Sequence, residues 1–255
     1  MRDADVRAAV RAMLAAEHAN DQDTKIVEEM GIWSGSVRID MAVINGHLTG
    51  YELKSDRDTL DRLPAQAELY SRVFDKVCLV VGSRHAGKAR RLVPRWWGVI
   101  VANTSANGIQ LKLVREARAN PKPDPVLVAK LLWKVEALEI LEARNLAKGW
   151  RSKSAAQVHE KLAKELPFSD LSDAVRAKLK RREGWLRQPV SNQGEVTVHP
   201  DLYPSLAATG AYSAGGNLNN AIISPATDKT VEIGASDKCL GMPEILSWHW
   251  NTGVS

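Results

Sequence analysis

Val37-Arg38-Ile39-Asp40-Met41-Ala42-Val43-Ile44 runs into Asn45-Gly46 and returns as His47-Leu48-Thr49-Gly50-Tyr51-Glu52-Leu53-Lys54. The first half alternates, with Val37, Ile39, Met41 and Val43 on one face and Arg38, Asp40 and Ala42 on the other, as in a half-buried strand. Asn-Gly supplies the positive φ angles of a tight hairpin turn. The stretch reads as two antiparallel strands, and its neighbours extend the pattern. Upstream, Val6, Val10, Met13 and Leu14 recur at helical spacing within residues 4–19, while Lys25 to Met30 fits a short helix or a strand. Downstream, Ser55-Asp56 can cap a helix striped by Leu60, Leu63, Ala67, Tyr70 and Phe74, with Pro64 opening its straight segment. A strand at Lys76 to Val81, a basic helix at 84–92 and strands at Trp97 to Ala102 and Ile109 to Val114 complete an α/β domain with a mixed sheet.

Asn120-Pro121-Lys122-Pro123-Asp124-Pro125 reads as a linker. Three helices are expected beyond it, near 125–145, 153–166 and 170–185. This region carries about +6 of net charge between residues 121 and 190, densest at Arg176, Lys178, Lys180, Arg181 and Arg182. From Gln188 the composition turns to Gly, Ser, Asn, Thr and Pro, the mark of irregular structure. The chain therefore divides into a core at 1–118, a basic helical extension at 119–187 and an unassigned tail at 188–255.

The 255 residues carry a net charge of +5, a modest bias toward polyanions. The two cysteines, Cys78 and Cys239, form no disulfide framework, and the amino terminus has no apolar signal core, so a cytoplasmic location is expected. No apolar run approaches the roughly 20 residues of a membrane helix, so no membrane partner is expected.

The hairpin also carries chemistry. Hydrolysis of a phosphodiester calls for a divalent cation that neutralises a non-bridging oxygen and acidifies a bound water. Magnesium accepts one or two carboxylates and keeps several waters. Asp40 and Glu52 supply the carboxylates, Leu53 a backbone carbonyl, and Lys54 shares a strand face with Glu52. A strict two-residue turn at Asn45-Gly46 would pair Asp40 with Tyr51 and aim Glu52 away from it. The site therefore requires a register shifted by one, through a bulge near Thr49-Gly50 or a three-residue turn that takes in His47. Gln66 and Tyr70, four apart on the next helix, share a face. Arg38 offers a phosphate contact.

The series Glu29, Arg38-Ile39-Asp40, Glu52-Leu53-Lys54, Gln66 and Tyr70 resembles the PD-(D/E)XK nuclease superfamily, and its QxxxY helix resembles the RecB-like branch. The resemblance covers residues 4–115 and, more loosely, the helices to about 187; Ile39 stands where the superfamily's name has proline. It implies a restriction-endonuclease-like core, a mixed sheet flanked by helices, that cuts DNA with Mg2+ or Mn2+. Asp40 and Glu52, with Leu53, would hold the metal, Lys54 would be catalytic, and Glu29, or Glu28 in its stead, would assist. Arg38, Gln66 and Tyr70 would bind substrate, and Arg176, Lys180 and Arg181 would contact the nucleic-acid backbone. Alternatives are a nuclease-fold protein that binds nucleic acid without cutting it, or a regulator using a helix-turn-helix at Ser154 to Arg182. A homodimer stays open as an assembly.

Other motifs fall short. Gly82-Ser83-Arg84-His85-Ala86-Gly87-Lys88-Ala89 nearly matches a phosphate-binding P-loop, but Ala89 replaces the required Ser or Thr and the strand at Gly98 to Ala102 has no acid. The six histidines lack metal-ligand spacing. His159, Trp133, Trp96 and Trp97 read as packing residues.

Overall fold

The computed structural model describes residues 1–33, 37–106 and 108–182. The expected tail from Gln188 lies outside them, as does Cys239. The elements are α1 (Asp3–Glu17), β1 (Lys25–Ile32), β2 (Val37–Ile44), β3 (Leu48–Lys54), α2 (Leu63–Tyr70), β4 (Lys76–Gly82), α3 (Ala86–Leu92), β5 (Gly98–Ser105) and β6 (Gly108–Arg115). Four helices follow: α4 (Pro125–Ala129), α5 (Lys134–Glu142), α6 (Ala155–Glu165) and α7 (Phe168–Arg181). The six strands form one mixed sheet in sequence order. β1, β2 and β3 make an antiparallel meander, β4 and β5 run parallel to β3, and β6 returns antiparallel. The ambiguous segment from Lys25 is the edge strand β1.

Each face of the sheet is buried by a different partner. The apolar stripe Val6, Val10 and Leu14 of α1 covers Met41, Val43, Tyr51, Leu53, Cys78, Val80 and Ile100. The opposite face carries Leu79, Val81 and Val99 and packs on α2, Trp97 and the helices α4 to α7, through residues such as Leu127, Leu162, Leu171 and Val175. Sheet and carboxy-terminal helices thus share one continuous apolar cluster. Trp97 is fully buried, stacks on Tyr70 with ring centroids 6.3 Å apart and donates its indole N–H to Ser71 Oγ at 3.1 Å. His159 is buried with Nε2 3.0 Å from the Leu132 carbonyl. Both serve packing.

Two expectations are corrected. The alternation assigned to β2 breaks in its middle. Val37 and Ile39 belong to the α2-side cluster together with Ala42 and Ile44, whereas Met41 and Val43 face α1. Side-chain parity therefore shifts by one at Asp40. The same shift occurs on β1, where Val27 and Met30 share a face. Its cause is Glu29, whose φ of 51° leaves the extended region and removes the Glu29–Asp40 pair from an otherwise regular ladder. Secondly, the helix expected at 125–145 is two helices. α4 ends at Ala129, and Glu136 accepts the Trp133 N–H at 2.7 Å, which caps a new helix at Lys134.

Candidate functional site

The turn between β2 and β3 has three residues. Ile44 pairs with Leu48, Val43 with Thr49, Ala42 with Gly50 and Met41 with Tyr51. Asn45 Oδ1 accepts the His47 N–H at 3.0 Å, and the Asn45 N–H donates to the His47 carbonyl at 3.1 Å. The register is the shifted one the site requires. Beyond Met41–Tyr51 the ladder opens, and Asp40 Oδ2 accepts the Leu53 N–H at 2.8 Å instead.

Glu52 and Lys54 lie on the α2 side of β3, both buried, with Lys54 Nζ 2.6 Å from Glu52 Oε1. Burial pushes the Glu52 carboxyl up to about 7, and the neighbouring Asp40 charge adds to the effect while Lys54 opposes it. Asp40 and Glu52 therefore feel one another across the opened ladder. Tyr70 and Gln66 reach the same place from α2. The buried Tyr70 hydroxyl donates its proton to the Arg38 carbonyl at 2.9 Å and abuts Glu52. Burial and the adjacent Glu52 raise Tyr70 well above its ordinary range, so it stays protonated. With that proton directed to Arg38, neither Glu52 Oε2 nor the buried Gln66 Oε1 has a donor among the described residues.

On the other side of Asp40 stands a residue that sequence reasoning missed. Arg7, on α1, is 17% exposed, with Nη2 2.9 Å from Asp40 Oδ1 and Nη1 2.7 Å from Glu29 Oε1. Nη1 also donates to the Asp40 carbonyl at 3.2 Å. Burial opposes the Arg7 charge, but the carboxylates of Asp40, Glu29 and Asp3 outweigh it and hold the guanidinium above its ordinary range. Glu29 also pairs with Arg38, and burial nonetheless raises its carboxyl. The choice between the two upstream acids falls to Glu29: Glu28 turns outward to Arg11, with Nη2–Oε2 at 2.7 Å. The available signal for Arg7 was its place one residue past Val6 on the amphipathic helix, beside the stripe that docks α1 on the sheet.

The basic residues of the carboxy-terminal helices are largely engaged within the chain. Arg176 pairs with Asp75 at 2.9 Å and with Asp173, Lys180 with Asp23, Lys178 with Glu139, and Arg182 with the buried Glu136. Arg176 and Lys180, expected to contact nucleic acid, thus tie α7 to the core. Arg181 is exposed, beside a cavity of about 460 Å³ between the start of β1 and α7. α6 and α7 are joined by Leu166-Pro167. The P-loop-like segment is a turn at Ser83 to His85, with Gly87 already inside α3. Among the described residues no group of three or more His, Cys, Asp or Glu side chains is gathered to hold a metal ion, and no helix is long and apolar enough to cross a membrane.

No solved structure matches the chain. Protein cII of Enterobacteria phage P4 is 25% identical over 201 residues, covering 79% of this chain and 74% of the relative. The family described as Bacteriophage P4 protein cII matches residues 1–197, which span every strand and helix of the described residues. On that match, the chain belongs to the bacteriophage P4 protein cII family.

Proposed function

We propose that this protein is a metal-dependent nuclease that hydrolyses DNA phosphodiester bonds on a restriction-endonuclease-like core of the PD-(D/E)XK type. The observation that carries the reading is the β2–β3 register. It brings Asp40 to the Leu53 N–H next to Glu52, while Lys54 and Tyr70 meet Glu52 and Glu29 shares Arg7 with Asp40, which supports the reading. Apart from Arg7, these are positions the resemblance implies, drawn from four separate elements.

The residues fit a hard divalent cation. Among the described residues, Glu52 Oε2 and Gln66 Oε1 are buried acceptors without donors, which an ion and its waters would satisfy. A strand residue directs its N–H and C=O to the same side, so the Leu53 carbonyl faces the gap its N–H spans to Asp40. Two carboxylates suffice for magnesium, which keeps several waters. Bound there, it would polarise a phosphate oxygen and acidify a water. The Lys54 ammonium, fixed by Glu52, would steady the charge that develops on the phosphate. Tyr70 and Gln66 would wall that position against bulk water.

The test is cleavage of plasmid and linear duplex DNA with Mg2+ or Mn2+. Asp40→Asn and Lys54→Met should each lower the rate on the order of 10²-fold or more while keeping the fold. Wild-type protein that never cuts, with either metal, overturns the reading.

One observation favours a second reading, a nuclease-fold protein that binds DNA without cutting it. Arg7 already supplies a cation to Asp40 and Glu29. On this reading the guanidinium replaces the metal ion, and DNA binding is indifferent to Mg2+ and EDTA.

A further inference from the structure

We propose that the surface of α3 and the end of β6 is the track on which duplex DNA lies, and that the basic helices α6 and α7 are not. The proposal rests on the nucleic-acid reading above and adds where the polyanion is held.

Residues 83–118 contain eight Lys and Arg against a single acid, Glu116, whereas the whole chain is only +5. Arg84, Lys88, Arg90, Arg91, Arg95, Lys112 and Arg118 are all exposed. None of the seven makes an ion pair among the described residues, although Arg7, Arg11, Arg38 and most basic residues of α7 do. Asp56, in the loop after β3, meets this segment through the Arg84 backbone N–H at 3.3 Å rather than its side chain. Like charges are also crowded. Burial lowers Arg115, and the adjacent Arg90 and Arg118 lower it further. An uncompensated cluster of this kind works against the compact state, and a polyanion relieves it.

The track has a direction. Lys54 pairs with Val81 at the end of β4, and α3 starts four residues after that strand ends at Gly82. α3 therefore begins at the sheet end that carries Lys54. Lys88 and Arg91, three apart, share one face of α3, with Arg84 in the turn before the helix and Arg95 just beyond its end. Arg90, Arg115 and Arg118 lie together at the opposite end, where β5 starts and β6 finishes. A seven-residue strand such as β4 is about 23 Å long, the rise of roughly seven base pairs. The track offers no interfacial aromatic, since Trp97 is buried and Trp96 half-buried, which favours a phosphate backbone over a lipid surface.

The experiment is fluorescence anisotropy of a labelled 20-base-pair duplex in EDTA, where cleavage plays no part, over a salt series. Lys88→Gln, Arg91→Gln and Arg95→Gln are combined in one variant. Lys148→Gln, Lys153→Gln and Lys164→Gln are combined in another, which removes the same charge from exposed positions in the helical region. The first should weaken binding by roughly tenfold or more and lower the slope of log K against log salt by about 2.7. The second should bind as wild type does. Equal losses in both, or none in the first, overturn the track, and cleavage by the wild type would still stand. Loss confined to vesicles containing phosphatidylserine, with duplex binding unchanged, also overturns it. A duplex track in a protein that never cuts would sustain this proposal while ending the nuclease reading.

Discussion

Asp40 bonds the backbone N–H of Leu53, the residue after Glu52, because three residues, not two, turn the chain between β2 and β3. Met41 pairs with Tyr51, and beyond that pair the strands part. Asp40 then reaches across to the Leu53 N–H at 2.8 Å.

The turn length is thus a functional parameter. Deleting His47 leaves Asn45-Gly46 as a two-residue turn, pairs Asp40 with Tyr51 and moves Glu52 to the other face. β3 resists the slip because its other edge pairs with β4 and the Leu48 N–H donates to Asp75 Oδ2 at 2.7 Å. The deletion should abolish cleavage and cost on the order of 3 kcal/mol in urea unfolding. His47→Gly keeps the turn length and should preserve both, with stability within about 0.5 kcal/mol of wild type.

Glu52 makes stability fall with rising pH. Its folded-state carboxyl, at about 7, sits above the ordinary value of 4.5, so the folded state keeps a proton that the unfolded chain releases. Its contribution is fully present below about 4.5 and is lost as pH climbs through 7. A shift of this size corresponds to on the order of 3 kcal/mol. Glu52→Gln should therefore be more stable than wild type at pH 8 and close to it at pH 4, by urea unfolding. Saturating Mg2+ should narrow the gap at pH 8, since a bound cation stabilises the ionised carboxylate.

Gly50 tests how tightly the splayed hairpin is packed. A Cβ there would stand 2.4 Å from Ile39 Cδ1 and 3.2 Å from the Phe74 ring. Gly50→Ala should cost about 1–3 kcal/mol of unfolding free energy. Gly46, with nothing within 4 Å of the same added atom, should accept alanine at far smaller steric cost.

Arg7 competes with any metal for Asp40. Arg7→Gln should tighten Mn2+ binding several-fold in calorimetry, because Asp40 and Glu29 lose their internal cation. It should also destabilise the metal-free protein by about 1–3 kcal/mol, as two partly buried carboxylates lose a charged donor. Unchanged Mn2+ affinity would show that Arg7 and the ion occupy different sides of Asp40.

The strands and most helices were legible because each serves one sheet face or one helical stripe, which periodicity reports. The need for an irregular hairpin was legible too, since strict alternation and two cooperating acids are incompatible. Illegible were features set by distant partners. Nothing local announces that Val37 and Val43 belong to opposite cores, because the shift originates in the backbone of Glu29 on another strand. Likewise a run of cations looks the same whether acids from afar meet it, as Asp23 and Glu139 meet α7, or none does among the described residues, as on α3. Arg7 was invisible because Glu29 and Asp40, the acids it brings together, lie 22 and 33 residues away.

The left-handed backbone at Glu29 has a consequence for how this hairpin changes over generations. A residue better suited to extended structure, such as Glu29→Val, would let the ladder close across Asp40 and add ordinary strand pairing. The gain in folding would come with Met30 and Ile32 turned from the core they now fill and with the acids drawn apart. Two hydrophobic layers and one acidic cluster therefore depend on the same irregular peptide. A chain that repairs it must rebuild both layers at once, so the irregularity is held in place by packing as much as by chemistry.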